Sequence, residues 1–284
     1  MKNIIITGAS SGIGLATARI FLANGHRVFG SVRSQADADR LIADLGNHFI
    51  PLIFDVTNNA DVLAAAEIVK NKVGTEGVSL LVNNAGIVAS GPLQHLDIQE
   101  LTQQFDINVL GVHRVTQAFL PLLGAARDPS VPKGKIINIS SVNGFIYTPF
   151  VGAYCGSKAA LEAMSDVLRR ELSAFGVQVV IVQPGPIKTP IWEKARQVAN
   201  LYPETEYANA LKSTLHGLKK AEQNALPVEK VSALIYKISQ KRNPKTRYLM
   251  TPNQWLIQII RHLPTKWLDF ILTNRMKKKL LGSE

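Results

Sequence analysis

Residues 3–14 read NIIITGASSGIG, and their reading decides the fold. Asn3–Ile6 is a short apolar run rich in β-branched side chains, the pattern of a buried strand. Gly8, Gly12 and Gly14 follow it at once, with Ser10, Ser11 and Ile13 between and beside them. Glycine removes the side chain where a backbone must bend sharply and where an anion must come close to it. A helix opening near Gly12 would turn its free N–H groups and positive dipole end toward that anion. A tight strand–helix joint alone could also use such glycines. On the first βα unit of a parallel sheet, the turn points instead to a dinucleotide pyrophosphate.

Outward from this turn, short apolar runs alternate with helical patterns. NIIIT, RVFGSV, FIPLIFDV, SLLVNNAG, KIINIS and VQVVIVQPG read as strands, with segments such as GLATARIFLANG and DADRLIADLG between them. Uniformly apolar strands separated by helices indicate a parallel sheet covered on both faces. Right-handed crossovers then give a doubly wound α/β sheet, the Rossmann fold, with ligands at the carboxyl ends of the strands. No linker or repeat divides the chain, so residues 1–250 form one domain with a lid about 190–225. Residues 251–284 form a basic C-terminal extension.

Composition narrows the class further. The 284 residues include one cysteine, Cys155, which excludes an internal disulfide and argues against a cysteine metal site. The chain enters its first strand directly, leaving no room for a secretory leader, and no apolar run reaches the roughly 20 residues of a membrane span. These features predict a cytoplasmic protein. Of the net charge of +11, residues 241–284 contribute +8, so attraction to an acidic partner belongs to the tail.

A second stretch carries the chemistry. From Ile136 to Ser157 the chain runs 22 residues without a charge, and then Lys158 appears four positions after Tyr154. On a helix these two side chains share a face, one turn apart. A free phenol loses its proton near pH 10, and an adjacent ammonium would be expected to lower that value. Ser141 lies thirteen residues before Tyr154, and its hydroxyl can both donate to and accept from a substrate oxygen. Ser140 is the neighbouring alternative.

Together these motifs resemble the short-chain dehydrogenase/reductase family, and they come in that family's order and spacing from residue 3 to about 190. They are TGASSGIG at 7–14, NNAG at 83–86, Asn108 within DINVLG, the serine pair at 140–141, YCGSK at 154–158 and PGPIKT at 184–189. The resemblance implies Tyr154 as acid/base, Lys158 as its modulator and a ribose contact, and Ser141 as the residue that orients substrate. It also implies Asn108 as the residue that kinks a helix and ties a water chain to the lysine. For the cofactor it implies Asp55 and Val56 along the adenine, Asn83, Ala85 and Gly86 on the ribose side, and Pro184, Gly185, Ile187 and Thr189 at the nicotinamide. Asp55 and Asn83 serve equally well as turn residues satisfying local backbone groups. A looser likeness to steroid- and retinol-type dehydrogenases lies in residues 169–189.

The second strand selects the dinucleotide. NAD-preferring folds carry an acidic residue at its end; here Val32 occupies that position and Arg33 follows. A guanidinium there can grip a 2′-phosphate by paired hydrogen bonds, so the expected cofactor is NADP(H). The expected reaction moves hydride between the nicotinamide and a carbonyl or secondary alcohol; the alternative is a catalytically silent NADP-binding sensor or scaffold.

Val142, Phe145, Ile146, Tyr147, Phe150 and Val151 precede the tyrosine, and Ile191, Trp192, Leu201, Tyr202 and Tyr207 follow Thr189. They suit a bulky apolar small-molecule substrate or, equally, core and lid packing. The family resemblance implies a homo-oligomer. For the tail, three readings stand: a packing element, a peripheral contact with an anionic membrane, or nonspecific contact with nucleic acid, none of it sequence-specific.

Overall fold

The computed structural model describes residues 1–125, 131–190, 192, 198 and 200–280. Seven strands form one all-parallel sheet: β1 Asn3–Ile6, β2 Arg27–Val32, β3 Phe49–Ile53, β4 Leu80–Asn83, β5 Lys135–Ile139, β6 Gln178–Pro184 and β7 Arg247–Met250. Their spatial order is β3-β2-β1-β4-β5-β6-β7, so the direction of winding reverses between β1 and β4. That reversal leaves a crevice at the carboxyl edge, where ligands of such sheets bind.

The helices are α1 Gly12–Ala23, α2 Gln35–Leu45, α3 Asn59–Val73, α4 Ile98–Phe105, α5 Val112–Phe119, α6 Gly152–Leu172, α7 Ala208–Gln223, α8 Val228–Gln240, α9 Gln254–Arg261 and α10 Thr265–Leu280. The period-two alternation of β1 explains the two layers they form. Ile4 and Ile6 face a core built with Phe21 of α1, Leu41 of α2 and Ile235 of α8. Ile5, pointing the other way, enters a second core with Val69 of α3 and Phe119 of α5. Both faces are buried, so the strands are apolar throughout rather than alternating with polar residues.

Local chemistry starts the helices. The Ser34 side chain caps α2 at the Asp37 N–H, Asn58 caps α3 at Ala60 and Asp61, and Asp97 caps α4 at Gln99. Between α4 and α5 a π-helical segment, Asp106–Gly111, carries Asn108, the site of the expected kink. The extension is two helices parted at Pro264, as its sequence implies; residues 281–284 lie outside the described residues.

Gly14 shows how tightly the first turn is built, since a Cβ there would lie 2.1 Å from the Gly8 carbonyl oxygen. Gly217, inside α7, has no described atom within 4 Å of the same position. Gly14→Ala should therefore cost about 2 kcal/mol or more through backbone displacement. Gly217→Ala should gain ~0.5–1 kcal/mol by stiffening the unfolded chain. Calorimetric melting should show Tm moving down for the first and up for the second.

Candidate active site

The carboxyl ends of β1, β2, β4, β5 and β6 converge on one crevice. After β1 the backbone turns through Gly8 (φ 65°) and Gly12 (φ 54°), left-handed conformations that glycine adopts without strain. Ser11 is extended and its hydroxyl makes no capping bond to α1. A Cβ on Gly12 would meet Thr189 Cγ2 at 3.3 Å, so the PGPIKT segment stands over the glycine turn. Two residues that the sequence pattern did not single out hold the turn. Thr7 Oγ1 accepts from the Asn84 and Ala85 N–H groups at 2.9 Å each. The Asn84 amide donates to the Thr7 and Gly8 carbonyls at 2.9 and 3.1 Å.

At the end of β2, Val32 is buried and Arg33 is exposed. Ser31 behind them accepts from Gly8 N–H through its hydroxyl and from Ala9 N–H through its carbonyl, both at 2.9 Å. A second guanidinium reaches the same turn, because Arg40 Nη2 donates to the Ser10 carbonyl at 3.0 Å while pairing with Asp37. A pocket with glycine backbone for a pyrophosphate, two exposed cations and no carboxylate at Val32 fits a dinucleotide bearing a 2′-phosphate.

Two residues expected beside the adenosine spend side-chain atoms locally. Asp55 Oδ1 accepts from the Thr57 N–H at 2.9 Å and the Thr57 hydroxyl at 2.7 Å. Asn83 points into the sheet, where its amide donates to Thr116 Oγ1 at 3.0 Å and Asn138 Oδ1 at 2.9 Å. Val56 joins the core beneath α5, and a Cβ on Gly86 would crowd Asn108 Oδ1 at 3.2 Å. Pro184 pairs with Met250, and Gly185 N–H donates to the Met250 carbonyl at 2.8 Å. Ile187 is buried and its carbonyl accepts from the Trp192 indole at 2.7 Å, while Lys188 faces solvent.

The catalytic candidates come together around α6. Ser141 Oγ caps the following turn at Asn143 N–H, 3.1 Å, and stands near enough to the Tyr154 phenol to favour its ionised form. Ser140 Oγ is buried with no hydrogen-bond partner. Lys158 Nζ lies 5.7 Å from the Tyr154 ring centroid and donates to the Ile139 carbonyl at 2.7 Å. Asn108 clamps Ile87 from both sides, accepting from its N–H at 2.9 Å and donating to its carbonyl at 3.0 Å. It also donates to Ser157 Oγ at 3.2 Å, joining the π segment to the residue next to Lys158. Gln104, absent from the sequence reading, repeats that bridge: it contacts Ala89 N–H, the Ile87 carbonyl and Ser157.

Burial dominates the electrostatics. It lowers the Lys158 pKa to about 8, while the Glu162 carboxylate pulls it back up. Glu162 stands one turn along α6 and is itself nearly buried. Its oxygens accept from Gln183 Nε2 at 3.0 Å and Arg247 Nε at 2.9 Å, and Arg247 Nη2 reaches Asp166 at 2.9 Å. The expectation of a lowered tyrosine pKa is not met in the protein alone. Burial raises the Tyr154 phenol, and Ser141 only partly opposes it. The physical reason is desolvation of the phenol itself, while the nearby ammonium donates to the Ile139 carbonyl. Cys155 is buried, and burial pushes its thiol up, the behaviour of an inert packing residue.

The aromatic wall divides. Phe150 packs edge-on against Tyr207 at 5.8 Å between centroids and joins a small apolar cluster with Val198, Tyr202, Leu211 and Leu215. Phe150 has φ 67°, the one non-glycine residue with positive φ among those described. Tyr147, Phe150 and Tyr207 line an open apolar cavity of about 590 Å³ with Leu93, Cys155 and Ala159. Ile191 lies outside the described residues.

Comparison with known proteins agrees with this geometry. The short chain dehydrogenase family model matches residues 2–200. The chain is 41% identical over 279 residues, 98% of both chains, to an NADPH-dependent 3-dehydrocapnine reductase of Ornithobacterium rhinotracheale. It is 34% identical to a 3-ketodihydrosphingosine reductase of Bacteroides thetaiotaomicron, covering 93% of this chain and 92% of that one. The structure of a short chain dehydrogenase/reductase from Burkholderia phymatum in complex with NAD superimposes with a TM-score of 0.78 at 26% identity, over 96% of this chain and 95% of that one. With its parallel sheet, glycine turn and Ser–Tyr–Lys cluster, the chain belongs to the short-chain dehydrogenase/reductase family of oxidoreductases.

Proposed function

We propose that this protein is an NADPH-dependent reductase of a ketone carried by a long-chain lipid base. The observation that carries the reading is the contact of Ser141 and Tyr154 beside the buried Lys158, at the mouth of a crevice whose first turn suits a phosphorylated dinucleotide. The two relatives named for 3-dehydro and 3-keto substrates supply the substrate class. Phe145 and Ile146, half-buried beside Ser141, and the aromatic lid favour an apolar chain.

In this reading Arg33 and Arg40 hold the 2′-phosphate end, the Gly8–Gly14 backbone receives the pyrophosphate, and Thr189 meets the carboxamide end. Bound NADPH supplies the hydride. Ser141 donates to the carbonyl oxygen and fixes its position, and Tyr154 delivers the proton that turns the developing alkoxide into the alcohol. A phenol that burial keeps protonated suits the role of proton donor to the carbonyl oxygen. Lys158, charged below pH about 8, returns positive potential to the phenol as it empties. The apolar lid excludes water from the hydride. A silent sensor or scaffold would have no need of the intact cluster of Asn108, Ser141, Tyr154 and Lys158. We place the enzyme in the cytoplasm, the reducing compartment that its single cysteine suits, and as a homo-oligomer, following the family resemblance.

Tyr154→Phe should lower kcat by ~10²–10⁴-fold on a long-chain 3-ketone while leaving NADPH binding, measured by fluorescence, near wild type. NADPH binding with no turnover of any ketone by the wild type would return the assignment to a sensor, and unchanged turnover in the variant would remove Tyr154 as the proton donor. Arg33→Ala should raise the KM for NADPH by about 10–100-fold, the worth of charge-assisted hydrogen bonds, and leave that for NADH nearly unmoved. Glu162→Gln removes the group that raises the Lys158 pKa, so the alkaline limb of kcat/KM should move below pH about 8. Arg247→Met frees the Glu162 carboxylate from its partner and should move the same limb upward. A pH–rate series on both variants tests the pair, because a purely structural loss would not shift them in opposite directions.

A further inference from the structure

Helices α9 and α10 leave unusual side chains in solvent. Trp255 is 69% exposed, Ile259 52%, Trp267 65% and Phe270 67%, with Leu256 and Ile271 also open. Residues 255, 256 and 259 share one arc of α9, and 267, 270 and 271 share one arc of α10. Each helix therefore presents an apolar strip that nothing described in the chain covers. The sequence of the same stretch is basic: residues 251–280 include six Lys or Arg and a single acid, Asp269. No helix among the described residues is long and apolar enough to cross a membrane.

We propose that the α9–α10 extension is a docking surface for an anionic lipid bilayer, lying in its interface with Trp255, Ile259, Trp267 and Phe270 inserted. Charge chooses this occupant. A second copy would bring an equally cationic tail against this one, and like charges repel. A nucleic acid would match the charge but would leave the tryptophans, isoleucine and phenylalanine without an apolar medium. An anionic bilayer satisfies both, with acyl chains for the strips, headgroups for the cations and the interfacial zone for the indoles. The surface is also joined to the active site. The Arg261 guanidinium at the end of α9 lies 4.9 Å over the Phe145 ring, four residues after Ser141. A docked extension would bring the substrate mouth to the bilayer, where a long-chain ketone resides. That purpose rests on the proposed function; the docking itself does not.

Sedimentation of the full chain with phosphatidylcholine vesicles, and with the same vesicles doped with phosphatidylglycerol, tests the surface without turnover. The full chain should sediment with the doped vesicles and stay in solution with the neutral ones, and high salt should release it. The pairs Trp255→Ser/Ile259→Ser and Trp267→Ser/Phe270→Ser should each weaken partition by about tenfold or more, the loss expected from leaving those side chains in water. Because the replaced residues are exposed, NADPH binding and the rate on a short, water-soluble ketone should remain at wild-type values. Equal partition to neutral vesicles, no partition to either, or substitutions without effect would overturn the proposal. So would a concentration-dependent dimer, or retention on duplex DNA, that the same substitutions abolish while vesicle binding is absent. Failure of the reductase reading would appear separately, as no turnover of any ketone by a chain that still binds vesicles.

Discussion

A buried ammonium organises this protein. Lys158 is withdrawn from water within α6, where an unpaired charge would be very costly, and its Nζ finds one carbonyl acceptor, Ile139 at the end of β5. The rest of the compensation comes from Glu162, which Gln183 of β6 and Arg247 of β7 hold in place. Asp166 takes the other face of that guanidinium. One cation thus ties α6 to three neighbouring strands. The helix that bears Tyr154 cannot shift without breaking charged contacts, and breaking one buried partner is far more costly than the pair is stabilising.

The parallel sheet makes such convergence available. With every strand running the same way, the turns after β1, β4, β5 and β6 open at one edge, and each delivers a different part of the crevice. Side-chain amides then knit the edge. Asn84 secures the glycine turn, Asn108 and Gln104 fasten the Ile87 backbone to α6, and Asn83 and Asn138 form a ladder from Thr116 to Ser165 through the sheet interior. These groups exchange bonds that water would otherwise supply, so their geometry is fixed before any ligand arrives. Phe150, held at φ 67°, is the strained point, and it sits where the small apolar cluster meets the loop leading into α6.

Much of this was legible in the sequence because motif spacing is a one-dimensional record of a strand end. The glycine turn and the Tyr154–Lys158 pair one turn apart on α6 appear where their spacing implies, and a π-helical segment carries Asn108. What escaped were partnerships between distant segments. Glu162 and Arg247 are 85 positions apart, and Thr7 and Asn84 are 77 apart. No local periodicity announces either pair. The side chain of Asn83 was equally hidden, since only the assembled sheet shows that it faces inward.

The tyrosine is where local reasoning and the folded environment part. An adjacent ammonium suggests an acidic phenol, yet burial acts on both groups at once, raising the phenol and lowering the amine. Their shifts move together because one desolvated pocket holds them, and each favours its neutral form. A neutral phenol is the state required of a proton donor to a carbonyl that is gaining hydride. A phenolate, the state required for taking a proton from an alcohol, is what burial opposes and a neighbouring positive charge favours. The oxidised dinucleotide carries such a charge on its ring and the reduced one does not. Burial alone therefore holds the phenol neutral, and the charge that would ionise it has to outweigh that desolvation.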